Sequence, residues 1–151
     1  MTRRLFLPLT TGELARSPTV DTVRKRLGGR ASTDAGAGQV LAFRDERGGE
    51  RIGVVLFVRG DELDVWVQGD LVRRVRRPDT KPADGVVPRE LLAVARDAQG
   101  FAALREGQRV RYQHPGGLGD GALVEKCRFG ALVERDDRTV LGIGFRRLLA
   151  V

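Results

Sequence analysis

Two side chains have the types a thiol-based catalytic pair requires: Cys127, the one cysteine, and His114, the one histidine. A thiolate nucleophile needs a depressed pKa and a positioned base. Cys127 stands between Lys126 and Arg128 in GALVEKCRFGALVERD, residues 121–136, where both cations would lower a thiol pKa. The stretch also says Gly-Ala-Leu-Val-Glu twice, nine residues apart. Strand alternation sends Leu123, Glu125 and Cys127 to one side and Ala122, Val124 and Lys126 to the other. On that reading the strand leaves the core near Glu125 and Cys127 is semi-exposed. The two copies are then neighbouring β-strands, and a free cysteine in a strand ordinarily serves as a small hydrophobe. Serine chemistry is poorer still, because Ser17 and Ser32 are the only serines and fall in cap or linker sequence. No catalytic residue is assigned, and the chain is expected not to be an enzyme.

Metal and cofactor chemistry find as little support. A structural zinc site takes several Cys or His ligands, and this chain has one of each. No metal, disulfide or cofactor is therefore expected, and the cysteine count favours a reducing cytoplasm. The glycine-rich HPGGLGDG, residues 114–121, has neither a Gly-Lys-Ser/Thr ending nor a GxGxxG pattern. It reads as a mobile hairpin loop. The longest uncharged apolar run, residues 52–58, has seven residues, against about 20 for a membrane span. At the start, Pro8 and Glu13 cut the apolar segment too short for a signal peptide.

Charge is the strongest signal. Twenty-seven Lys and Arg against 20 Asp and Glu give +7, and the sequence pI is about 10.8. Lys25, Lys81 and Lys126 are the only lysines. Arginine binds phosphate bidentately and stacks on bases, so the excess points to nucleic acid. A GC-rich coding sequence would also favour arginine over lysine, which accounts for the ratio but not for the net charge. The densest cluster is LVRRVRRPDTK: Arg73, Arg74, Arg76, Arg77 and Lys81 against Asp79 alone. On a terminal edge strand, Arg74 and Arg76 share one face and Arg73, Val75 and Arg77 the other. Such an edge resists aggregation, and it also offers a phosphate track that Arg146 and Arg147 would continue. Trp66, on the face opposite Leu63, Val65 and Val67, is either covered by a helix or exposed as a base-stacking platform.

The elements that would position these groups follow from pattern. Ser17 caps and Pro18 opens a helix in SPTVDTVRKRLGG, with Val20, Val23 and Leu27 at helical spacing and Gly28 or Gly29 ending it. A second helical turn starts near Thr10 or Thr11. Residues 28–38 form a small, polar connector. Residues 39–45, 51–59, 62–68 and 71–75 are β-rich runs separated by glycine turns. Residues 76–87 read as an exposed loop. A helix from Pro88, with Leu91, Val94, Ala95 and Ala98 as its apolar stripe, ends at Gly100. A second β region then runs from residue 106 to the C-terminus.

The two β regions echo each other. Gly38-Gln39 precedes Gly53-Val54-Val55, and Gly107-Gln108 precedes Gly121-Ala122-Leu123. Both close on an apolar-Arg-Arg-apolar unit, residues 72–75 and 145–148. The second half resembles the SH3-like small barrels of KOW and Tudor type at residues 107–110, 121–124, 130–133 and 145–148. The resemblance implies a mainly β chain of two tandem SH3-like barrels with an N-terminal helical segment and a connecting helix. The segments are 1–37 (helix and linker), 38–82 (first barrel), 83–105 (loop and helix) and 106–151 (second barrel). Such barrels commonly bind RNA, DNA or protein partners; capture of methylated side chains would need an aromatic cage beyond Tyr112, Phe129 and Phe145.

The expected function is non-enzymatic nucleic-acid binding through Arg73, Arg74, Arg76, Arg77, Lys81, Arg146, Arg147 and Trp66. The alternative is a protein-protein adaptor of a cytoplasmic bacterial assembly that presents residues 52–58 and the helices to a partner. A cyclic di-GMP receptor of PilZ type would need more than the RxxxR of Arg73 to Arg77, because no D/N-x-S-x-x-G follows it.

Overall fold

The computed structural model describes residues 2–4, 19–29, 37–69, 71–114 and 116–150. The expected turn near Thr10, the Ser17 cap and connector residues 30–36 lie outside them. The chain divides into two compact units, Met1–Leu5 with Thr33–Ala102, and Phe6–Ser32 with Ala103–Val151. The architecture is mainly β, with one antiparallel sheet in each unit.

In the first unit, β1 (Thr2–Arg4), β2 (Val40–Arg44), β3 (Glu50–Arg59), β4 (Glu62–Val67), β5 (Leu71–Arg76) and β6 (Thr80–Pro82) form a sheet of order β1-β5-β4-β3-β2-β6. A 3-10 turn, Arg77–Asp79, joins β5 to β6. Residues 76–87, expected as a loop, thus contain a turn and a strand. Pro78 suits the turn, whose first positions need no N–H donor, and Pro82 ends a strand that pairs with β2 alone among the described residues. The core gathers Leu41, Phe43, Val55, Leu63, Val65 and Val67. Burial of side chains of this size contributes roughly 1.5 to 3 kcal/mol each.

The helix α2 (Arg89–Ala103) buries Leu91, Val94, Ala95, Ala98 and Phe101. It continues through Gly100 instead of ending there. Phe101 extends the stripe of Val94 and Ala98 by one more helical step, and its burial outweighs the ~1 kcal/mol propensity cost of one glycine.

In the second unit, β7 (Arg109–His114), β8 (Gly117–Lys126), β9 (Gly130–Glu134), β10 (Val140–Gly144) and β11 (Leu148–Ala150) form a sheet of order β10-β9-β8-β7-β11. Phe145–Arg147 is a 3-10 turn before β11. HPGGLGDG is mostly strand, because β7 and β8 stay paired out to His114 opposite Gly117. The helix α1 (Thr19–Arg26) and the turn after it pack Val23 and Leu27 against Cys127 and Leu132. Below it, Phe129 N–H donates to the Leu27 carbonyl at 2.9 Å and Arg128 N–H to Gly29 at 3.0 Å. Arg24 Nε donates to Glu125 Oε2 at 2.5 Å, and that hydrogen bond raises the guanidinium pKa further above its ordinary value.

Cys127 is therefore fully buried, not semi-exposed. Burial alternates through the β8–β9 register shift as far as Glu125, and Cys127 is covered because Val23 and Leu27 pack on it. A bulge of this kind bends the strand.

The sheets share a plan: a four-stranded meander, a 3-10 turn, and a three-residue strand that returns antiparallel to the first strand of the meander. Gly38 N–H donates to Val55 and Val55 N–H to Gln39, as Gly107 N–H donates to Leu123 and Leu123 N–H to Gln108. The register shift after Val55 matches the one after Leu123. Gly53 and Gly121 also correspond: a Cβ on the first would stand 2.7 Å from the Trp66 carbonyl, and on the second 2.6 Å from that of Glu134. The closing Arg-Arg units do not correspond. Arg73 and Arg74 lie in β5, where β10 has Leu141 and Gly142, whereas Arg146 and Arg147 lie in the turn, where the first unit has Pro78 and Asp79.

Gly53→Ala and Gly121→Ala are each expected to lose about 1 to 3 kcal/mol, the usual cost of overpacking, in urea denaturation. Gly100→Ala meets open space within a helix and should gain about 0.5 to 1 kcal/mol in the same measurement. A neutral result for both strand glycines would remove the close approach.

Candidate functional site

The cationic run is carried by β5 and the turn after it. Leu71 and Val75 pack on the core, while Val72 is buried on the opposite face. Arg73 shares the core-side face, is 13% exposed, and has its guanidinium 3.0 Å from Glu46. Arg74 Nε lies 3.5 Å from Asp64 and 3.8 Å from Glu62. Lys81 Nζ lies 3.3 Å from Glu50. Arg76 and Arg77 are exposed and form no ion pair among the described residues. The turn is pinned by its backbone: Arg77 N–H donates to the Asp61 carbonyl at 2.6 Å, and Thr80 Oγ1 donates to the Arg77 carbonyl at 2.7 Å.

Three expectations are corrected here. The strand is not a terminal edge over its first half, because β1 pairs with residues 71–73. Extended N-terminal backbone satisfies the ladder groups that an edge would leave open. Trp66 is 1% exposed, between Val54 and Val72 in the ladder, so it is no base-stacking platform. A large aromatic flanked by apolar neighbours on both adjoining strands gains more from burial than from solvent. Finally, the run at residues 52–58 is buried from Gly53 to Phe57 at the centre of its sheet, so this strand offers an adaptor no face.

Arg146 and Arg147 sit half-buried in the second unit's 3-10 turn. The first unit thus carries Arg74 and Arg76 on β5, Arg77 in the turn after it and Lys81 on β6. Sequence reading did not find the hollow beside them. A cavity of about 430 Å³ is lined by Leu41, Val55, Val58 and Leu63, with Arg77, Thr80 and Lys81 among its polar groups.

The second unit has its own cavity, about 490 Å³, between the β7–β8 and β9–β10 hairpins. The Tyr112 ring lies across Gly119, with its centroid 5.7 Å from that of His114. Asp120, Asp136 and Asp137 line the rim. Arg111 holds Asp120 at 3.1 Å and Arg109 holds Asp136 at 3.2 Å. The Thr139 N–H, 3.0 Å away, holds the Asp137 carboxyl below its ordinary pKa. His114 Nδ1 accepts from Gly116 N–H at 3.1 Å, whereas Cys127 Sγ has the Glu125 carboxylate at 3.8 Å. The thiol and the imidazole thus have different neighbours, and the thiol belongs to the apolar seat of α1. Among the described residues, no group of His, Cys, Asp and Glu could hold a metal ion, and no helix is long and apolar enough to cross a membrane.

No protein-family model matches this chain, and no curated protein matches it.

Trp66 is the only tryptophan, which makes its burial measurable in the intact protein. Its emission is expected on the blue side of the tryptophan range, resistant to iodide quenching and unchanged by added oligonucleotide. Ready quenching would return the indole to the surface.

Proposed function

We propose that the chain is a non-enzymatic module of two SH3-like barrels in tandem that binds nucleic acid through its phosphates, with little readout of base sequence. What supports the barrel reading is the strand plan common to both sheets, with a 3-10 turn leading into a last strand that pairs with the first. The observation that carries the ligand reading is the pair Arg76 and Arg77: adjacent, exposed, and free of ion pairs with described carboxylates in a chain of net charge +7. Guanidiniums in that state bind phosphate without first breaking an internal pair. Arg146 and Arg147 supply a second basic turn. Arg73, Arg74 and Lys81 contribute field more than contact, because each already faces a carboxylate. With the indole buried, base stacking drops out of the mechanism and the phosphate term stands alone.

A second reading, a protein-protein adaptor, is favoured by the cavity of the second unit. Tyr112, His114 and Arg135 line it with three aspartates that already face arginines, so it would offer a partner a polar, charge-balanced pocket.

The two readings separate in a salt titration. Contact with about four phosphates gives a log-log slope near −3.6 on duplex DNA and a shallower one on single strands. Arg76→Glu with Arg77→Glu should weaken binding at every sequence tested and flatten that slope by about 2. Affinity that ignores salt, or that survives the double reversal, would dispose of the polyanion reading.

A further inference from the structure

We infer that the cavity of the first unit is a binding site for an aliphatic carboxylate, an anion carried on a flexible hydrocarbon chain of medium length. The inference does not depend on the nucleic-acid reading; it rests on comparing the two units position by position. Phe145 opens the second unit's 3-10 turn and its N–H donates to the Phe129 carbonyl at 2.9 Å. Arg77 opens the first unit's turn and its N–H makes the same bond to Asp61. The backbone device is conserved between the copies and the side chains are inverted. Phe129, Phe145 and Leu148 are 2%, 1% and 8% exposed, so the second unit fills this end of its sheet with apolar volume. The first unit has Asp61, Arg77 and Thr80 there, with Asp61 and Arg77 exposed and Thr80 half-buried.

What the missing side chains leave is the cavity of about 430 Å³. Its size falls within the range of small-molecule sites. Leu41, Val55 and Leu63 in its lining belong to the unit's buried core cluster, and Val58 packs on that cluster. The hollow is half open, and the edge of the hydrophobic core forms its floor. Arg77, without an ion pair among the described residues, stands at the rim, while the Thr80 hydroxyl proton is already donated to the Arg77 carbonyl at 2.7 Å. Lys81, 3.3 Å from Glu50, adds positive field. Apolar floor and cationic rim together select one anionic head and an aliphatic tail. A polar anion would leave the floor unfilled, and a neutral hydrocarbon would leave the guanidinium without a partner.

The test follows side-chain methyl NMR signals of Leu41, Val55 and Leu63 in the full chain during titration with hexanoate, octanoate and octanol. Octanoate is expected to shift these methyls, with affinity rising about fourfold per added methylene from hexanoate. Octanol, which lacks the charge, should bind about tenfold more weakly, as should octanoate to Arg77→Gln. Arg77→Phe with Thr80→Leu copies the second unit's filling; it should abolish binding and raise the melting temperature by several degrees. Should that double variant not fold, Val58→Phe fills the same space and is read the same way. Arg76→Ala, whose side chain does not line the cavity, should leave octanoate affinity unchanged while weakening nucleic acid. No methyl shift with octanoate, or equal affinity in the Arg77→Gln and filled variants, overturns the assignment. So does tighter binding of a leucine-terminated tripeptide than of octanoate, which would make the cavity a reader of protein C-termini.

Discussion

Each sheet depends on one bent strand. β3 and β8 are ten residues long, and each shifts register against its neighbour at a single place, after Val55 and after Leu123. Before the shift each strand pairs with the opening strand of its meander; through and beyond it, each pairs with the next. A flat strand of that length would hold both neighbours in one plane and leave the closing strand no way back to the opening one. The residue at the bend is fixed by reciprocal backbone bonds, Val55 to Gly38 and Gln39, Leu123 to Gly107 and Gln108. After this bend come, in both units, the 3-10 turns that carry Arg77 and Arg146 and the return of β6 and β11 to the opening strands.

The parts of the fold that the sequence discloses are the local ones. Strand runs and glycine turns are local, so residues 40–44, 50–59, 62–67 and 71–76 form strands close to where composition places them. Gly38-Gln39 and Gly107-Gln108 mark equivalent positions because the same backbone bonds are made there. Alternation puts Cys127 on the side of Leu123 and Glu125 but cannot show that Val23 and Leu27 cover that side. The same gap shows at Arg73 and Trp66. Arg73 lies on the core side yet ends near Glu46, and Trp66 lies on the far side yet is buried. Which face of a strand meets solvent depends on what packs there, and period-two reading carries no term for it.

The misplaced repeat of Arg-Arg pairs has a related cause. Matching letters aligned Val72 to Val75 with Phe145 to Leu148, but hydrogen-bond register aligns Arg77 with Phe145. Register is set by pairing along the whole strand, and a one-residue slip would turn every core side chain outward. Letters in an arginine-rich chain repeat by chance much more readily than a register does.

That alignment by register changes the physical meaning of the basic run. In the second unit, aromatic side chains finish the core at the turn, each worth roughly 1.5 to 3 kcal/mol on burial. In the first, the same backbone presents Asp61, Arg77 and Thr80 and so forgoes that stabilisation. Units of this size sit near the lower limit for burying a sufficient core, so an unfilled end is expensive. The loss is not balanced by an ion pair at Arg77 among the described residues, and the backbone geometry of the turn does not demand it, since Phe145 adopts the same geometry with an apolar ring. Among the described residues, then, stability supplies no reason for arginine at this position. The ligand site proposed for the hollow would supply one, because Arg77 stands exposed at its rim on a turn held by backbone bonds.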